Sequence, residues 1–340
     1  MNKNLLIVFV CIIFVAILLL SSKLADDKYH LRDPRIKPSS KLELSQKKTV
    51  LSFMPNWYSG AQFSGYYYAE HYKIYESFNL DVNILRFDND YDVLGHLIAG
   101  ELDVAVMSMN YFTDACKQTD QIVVLAAIFQ YEPSVFIVKE NSGIECPTDF
   151  KEKKIICKNK DWKRMIYRII STAGLDSSQV ELVYGQNDLA AFTSGDIDIW
   201  AGYAHNEPVE FDMAGIETSN IYAYDYGVIN YEGLLVTTRD LLEHNSDAVE
   251  SFLSASMIGW DNSIKNPELT LKAIQCFDSS ISISFQRQSL AKIVPFIHTG
   301  EKPLGCVDIS RWNSLMGENG LEDESYLAID LINKIHSKQY

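Results

Sequence analysis

Trp57 and Glu207 are the two side chains of this 340-residue chain whose types best suit gripping a flat molecule. An indole stacks on an aromatic ring for about 0.5–1.5 kcal/mol beyond the area it buries. A carboxylate accepts two N–H bonds from an amino-substituted heterocycle, and a charge-assisted bond is roughly twice as strong as a neutral one. Trp57 directly follows a run that reads as the first strand, which puts it on a strand-to-helix loop, where the alternative is a Trp packed beneath that loop. Glu207 follows the run Ile197–Gly202, with Tyr203 and Asn206 before it and Pro208 stiffening what comes after; the alternative is an exposed turn carboxylate. Both are expected on loops outside the core, where substitution leaves folding intact.

Other polar groups fall at the same kind of place. Ser108 and Asn110 follow the run Leu102–Val106, as ligand contacts or as the cap of a helix beginning near Tyr111. Gln130 follows a long apolar run and either faces a cleft or bonds to a crossing chain. Asp225 and Tyr226 precede Gly227, to close over a ligand or to form a hinge. His71, His96, His205, His244 and His298 lack metal-ligand spacing, and no Gly-x-Ser-x-Gly elbow or phosphate loop is present. No catalytic residue, metal or cofactor is therefore assigned, and the expected activity is binding, not catalysis.

The elements that must position these residues follow from alternating short apolar and helical runs. Val50–Phe53, Asp81–Leu85 and Leu102–Val106 read as strands; Gly65–Phe78 and Tyr91–Ala99 read as helices, the second ended by Gly100. That order predicts a parallel sheet in an α/β fold. The order recurs with strands Lys154–Cys157, Val180–Val183 and Ile197–Gly202 around helices Trp162–Ala173 and Asp188–Thr193. Leu234–Thr237 reads as a strand returning to the first unit. Two lobes are predicted, 49–138 plus 234–340 and 139–233, joined by a hinge of two crossings near Val138 and Gly233. Ligands of such a clamshell bind at the carboxyl ends of the strands, between the lobes.

Composition narrows the partners. The formal charge is −15, from 30 Lys plus Arg against 45 Asp plus Glu, and so acidic a surface repels phosphate backbones. Nucleic acid is excluded on that ground. Residues 5–20 are uninterrupted apolar residues behind Lys3 and read as a secretory signal or a membrane anchor, 1–25. Residues 26–48, with Pro34, Pro38 and many charges, read as a linker that would hold a domain away from a membrane. The expected place is the periplasmic or extracytoplasmic face of the cell membrane. Apart from Cys11, the cysteines are 116, 146, 157, 276 and 306; pairings 276–306 and 146–157 and buried thiols stay open.

The chain resembles a known family in collinear order over residues 50–270. Trp57-x7-Gly65-Tyr66-Tyr67-x-Ala69, Ala99-Gly100-Glu101-Leu102-Asp103-Val104, Ala126-Ala127-Ile128-Phe129-Gln130, Asn206-Glu207-Pro208, Asp225-Tyr226-Gly227 and Ala255-x3-Gly259-Trp260 carry the likeness. It is similar to ABC-transporter substrate-binding proteins of the thiamine-pyrimidine-precursor type. The resemblance implies a two-lobed type II periplasmic-binding-protein fold, a small planar nitrogen-heterocyclic ligand, monomeric action and an ABC permease as partner. A membrane sensor protein is the alternative partner. Gly60 stands where that family often carries a longer side chain able to reach a ligand, and Lys73, Asn79 and Glu152 stand where it prefers glycine.

Overall fold

Strand formation follows the apolar pulses of the chain, and strand pairing decides which pulses meet. The computed structural model describes residues 47–185, 189–300, 302–321 and 324–337. The apolar segment, Cys11 and nearly all of the expected linker lie outside them. Among the described residues no helix is long and apolar enough to cross a membrane.

The described residues form ten strands: β1 Thr49–Met54, β2 Leu80–Ile84, β3 Val104–Met107, β4 Ile122–Phe129, β5 Ser134–Lys139, β6 Lys154–Cys157, β7 Glu181–Tyr184, β8 Trp200–Tyr203, β9 Thr218–Tyr222 and β10 Glu232–Thr238. The first sheet runs β2-β1-β3-β10-β4. Its strands β1, β2 and β3 are parallel, whereas β10 is antiparallel to both its neighbours. The sheet is thus mixed where a parallel one was expected, because the returning strand enters from the opposite end. In the second half β5 lies antiparallel between β8 and β9, and β6 pairs in parallel with β7. A parallel bridge between Ile155 and Ile199 ties β6 to the chain entering β8, so the strand order of the first half recurs. The architecture is the two-lobed α/β fold expected, with helices packed on both sheets.

The chain passes between the sheets twice, at Gln130–Pro133 and at Ala223–Tyr231. The first passage precedes the expected one near Val138, since Val138 pairs with Ser219 inside the second sheet. Val135–Val138 is wholly buried, and an unbroken apolar run reads the same whichever sheet takes it.

The expected helix Gly65–Phe78 is two helices, Ser64–His71 and Ile74–Ser77, broken where Lys73 turns left-handed at φ 59°. Asn79 and Glu152 are left-handed too, at φ 59° and 61°. All three positions where the resembled family prefers glycine therefore need a conformation that glycine adopts without strain. The motif glycines Gly65 and Gly259 serve packing. A Cβ on Gly259 would meet the Gly65 carbonyl oxygen at 2.3 Å, so helices Ser64–His71 and Ser246–Lys265 touch backbone to backbone there. Cys116, Cys146, Cys157, Cys276 and Cys306 are all free thiols, so neither considered disulfide forms among them.

Candidate functional site

At the carboxyl ends of β1 and β2 three aromatic rings stand together, Trp57 and Tyr58 in solvent and Phe87 half-buried beneath them. Trp57 lies 5.3 Å from Phe87 and 5.5 Å from Tyr58, and Tyr58 lies 5.2 Å from Phe87. Trp57 and Tyr58 are 54% and 56% exposed, which removes the reading of an indole packed beneath its loop. Asn89 Nδ2 donates to the Tyr58 hydroxyl at 3.3 Å and steadies the group. Gly60 follows, buried in an extended conformation; a Cβ there would press only on the flexible end of Gln62.

Glu207 sits on the other sheet and differs from its expectation. It is 2% exposed, at the first turn of helix Glu207–Met213 and not on an open loop. Asn206 begins that helix, its carbonyl accepting from the Val209 and Glu210 N–H groups at 3.0 Å, and Pro208 suits the first turn, where no N–H is needed. The Glu207 carboxylate is also occupied. Oε2 accepts from the Tyr203 N–H at 2.8 Å, and Oε1 is ion-paired with the Lys158 ammonium. Gly202 makes room, since a Cβ there would lie 2.6 Å from the carboxyl carbon. Lys158, just past β6, lies over the rings of Trp162 at 5.4 Å and Trp200 at 5.9 Å. Its ordinary sequence context gave no signal of this burial.

Between the two walls run the crossing segments, which are stitched to each other. The Glu132 N–H donates to the Asn230 carbonyl at 2.9 Å, and the Glu132 carboxylate accepts from Ser134 Oγ at 2.7 Å and from Asn230 Nδ2 at 2.9 Å. Glu232, at the start of β10, accepts from Asn56 Nδ2 at 3.2 Å, one residue before Trp57. Burial raises the Glu232 carboxyl to about 8, with the charge of Glu132 adding to it. Burial also raises Glu132. His205 stacks on Tyr203 at 5.9 Å and lies 6.3 Å from Phe129; burial lowers its imidazole to about 4. Tyr203 touches Trp162 at 5.1 Å, and its phenol is raised by burial and by the carboxylates Glu232, Glu132, Glu207 and Asp161. A chain of contacts and charges thus runs from the Trp57 loop through Asn56 and Glu232 to Tyr203 and Glu207.

The remaining expected residues divide by place. Gln130 braces the first crossing: its Nε2 donates to the Ala127 and Cys306 carbonyls at 2.9 Å, and its own carbonyl accepts from Arg311. Ser108 caps helix Met109–Cys116 by accepting from the Tyr111 N–H at 3.2 Å; Asn110 is half-buried in that first turn. Asp225 and Tyr226 end the short helical turn Ala223–Tyr226 of the second crossing, closed by left-handed Gly227. Sequence reasoning missed Asn56, Glu132, Lys158, Trp162, His205 and Glu232. Only proximity in the fold singles them out.

Comparison with known proteins follows this geometry. The riboflavin-binding protein RibY of Chloroflexus aurantiacus is 24% identical over 295 residues, spanning 81% of this chain and 80% of that protein. The 4-amino-5-hydroxymethyl-2-methylpyrimidine phosphate synthase of Legionella pneumophila is 19% identical over 259 residues, spanning 75% of this chain and 82% of that protein. Among solved structures, the periplasmic aliphatic sulphonate binding protein SsuA from Escherichia coli matches with a TM-score of 0.63 at 14% identity. That match covers 86% of this chain and 88% of the other. A family model matches residues 60–270, most of the two-sheet body, and the chain belongs to the NMT1/THI5-like family.

Proposed function

We propose that this chain is an extracytoplasmic solute-binding protein that captures a small planar nitrogen heterocycle for ABC import. The lobes of the clamshell are built on β1–β4 with β10 and on β5–β9, and the ligand lies between them. The single observation that carries the reading is the exposed pair Trp57 and Tyr58, packed on half-buried Phe87 at the carboxyl ends of β1 and β2. Rings left in water at the edge where such folds bind ligands offer a face for stacking. The relative named for riboflavin and the one named for a pyrimidine phosphate both concern flat nitrogen heterocycles, in keeping with that face.

The ligand stacks on Trp57 and is met from the second lobe by the Tyr203–Glu207 turn. Closing stabilises whichever state the ligand bridges, with no covalent step. The N-terminal apolar segment delivers the chain to the outer face of the membrane, where a permease reads the closed form. A thermal-shift screen over riboflavin, hydroxymethylpyrimidine and alkanesulfonates tests the reading. A true ligand at 100 times its Kd adds about 2.7 kcal/mol of stability. Trp57→Ala should then weaken binding by roughly 1–3 kcal/mol. Unchanged affinity in that variant would place the ligand elsewhere.

A further inference from the structure

The two crossings are fastened to one helix. Helix Ile309–Glu318 is capped by Asp308, which accepts from the Arg311 N–H at 2.9 Å. The Arg311 guanidinium donates to the Gln130 carbonyl and lies 4.9 Å from the centres of two rings, Tyr131 and Tyr231. Gln130 and Tyr131 open the first crossing, and Tyr231 closes the second. Tyr231 is wholly buried, and its hydroxyl accepts from the Asp308 N–H at 2.8 Å. The first crossing is tied further by the Gln130 N–H, which donates to the Phe296 carbonyl at 2.7 Å. Past these contacts Glu132 and Asn230 bond the crossings to each other. A guanidinium can stack on ring faces and still donate within its own plane, which an ammonium cannot do.

Resting on the binding function above, we propose that Arg311 is a positioning residue for the crevice between the lobes. It pins both crossings to the first lobe and confines the bending that opens and closes the crevice to residues 132–133 and 223–230. One cation holds Tyr131 and Tyr231 together, so the two chains cannot shift independently. Each closure then returns Trp57 and the Tyr203–Glu207 turn to the same relative place. Without the pin the lobes sample further orientations, and apparent affinity falls with the fraction of molecules competent to bind.

Hydrogen–deuterium exchange on the full chain without ligand tests the pin. In Arg311→Ala, peptides spanning 130–134 and 223–231 should exchange about tenfold faster, while β6, β7 and helix Ser64–His71 keep the parental rate. Arg311→Lys keeps the charge but loses the plane, and should follow Arg311→Ala. Tyr131→Leu changes only a half-buried ring, leaves buried Tyr231 in place, and should speed the first crossing in the same way. Affinity for riboflavin, measured by calorimetry, should fall about 3- to 10-fold in both Arg311 variants. Parental exchange in Arg311→Lys, faster exchange throughout the chain in Arg311→Ala, or undiminished riboflavin affinity overturns the inference and leaves solute binding standing. If riboflavin does not bind the parent, the choice of ligand is at fault, and the exchange rates alone decide the pin.

Discussion

The Lys158 ammonium and the Glu207 carboxylate form an ion pair that is nearly enclosed, over the indoles of Trp162 and Trp200. Such a pair owes less to attraction than to the cost of stranding either member. Glu207→Gln leaves a buried ammonium facing an amide and should cost about 3 kcal/mol, against the neutral effect expected of a loop residue. The double variant Lys158→Met/Glu207→Gln should recover most of that loss. Urea unfolding of the two single variants and the double variant measures it. Additive losses would show that the pair is not coupled.

Two groups beside the crossings, Glu232 and His205, titrate in opposite senses, which gives stability a plateau in pH that falls away on either side. Burial and Glu132 raise the Glu232 carboxyl from 4.5 to about 8, so between those values the folded state holds the extra proton. Stability from Glu232 is full below pH 4.5 and is lost as pH rises through 8. Burial lowers His205 from 6.5 to about 4, so there the unfolded state holds the extra proton and stability is lost as pH falls from 6.5 to 4. At about 1.4 kcal/mol per pH unit the two full shifts correspond to roughly 3–5 kcal/mol. Between pH 4.5 and 6.5 the two slopes cancel, so Glu232→Gln should remove the fall above pH 6.5 and extend the acid fall up to 6.5, and His205→Phe should remove the acid fall and extend the alkaline one down to 4.5. Unfolding midpoints from pH 4 to 9 check both arms, and an unaltered alkaline arm in Glu232→Gln would assign it to other groups.

These titrating groups show where sequence reading stops. Trp57 was legible because a large ring directly after a strand has few structural uses. Gly100 was legible as a helix stop, and it is left-handed at φ 71°. The Asn206-Glu207-Pro208 motif gave no sign of burial, since nothing local shows that Lys158 folds over it. Glu132 and Glu232 carry no signal at all. Each is an ordinary glutamate until the two crossings lay Glu132 beside Asn230 and put Glu232 against Asn56. The first crossing itself was misplaced because burial, not alternation, dominates β5.

Lys73 and Glu152 carry a removable strain. A non-glycine residue in the left-handed region costs about 1–2 kcal/mol, and a new glycine returns about 0.4–1 kcal/mol to the unfolded chain. Lys73→Gly and Glu152→Gly should each therefore stabilise by roughly 0.5–1 kcal/mol. Asn79→Gly should change little, because asparagine tolerates that conformation. The Lys73–Glu70 contact at 3.9 Å is exposed and its loss is negligible. Urea midpoints rank the three variants, and a gain in Asn79→Gly equal to the others would refute the strain argument.

Closure of the crevice should be sensitive to salt. Lys160, Arg164 and Arg168 recur every fourth residue on helix Lys160–Thr172, and so lie on one face, while Met165, Ile166, Ile169 and Ile170 are buried. That basic face meets the other half of the molecule. Arg164 donates to Asp114 at 2.8 Å with Lys160 at 3.4 Å, and Arg168 donates to Glu318 at 3.0 Å. Asp114 belongs to the helix after β3 and Glu318 ends helix Ile309–Glu318. The pairs bridge helices packed on different sheets, so domain opening must break them. Exposed pairs contribute about 0.2–1 kcal/mol each, so the set biases the closed state by about 1–2 kcal/mol, or roughly 5- to 30-fold. In Arg164→Ala/Arg168→Ala the bound ligand should leave about 5-fold faster or more, with association little changed. In the parent, release should quicken between 0.05 and 0.5 M NaCl, and in the double variant, which keeps only the Lys160–Asp114 pair, it should quicken much less. Stopped-flow release measured across that range decides the matter. If parent and variant respond to salt alike, these pairs do not govern opening, and the crevice is held closed by its ligand alone.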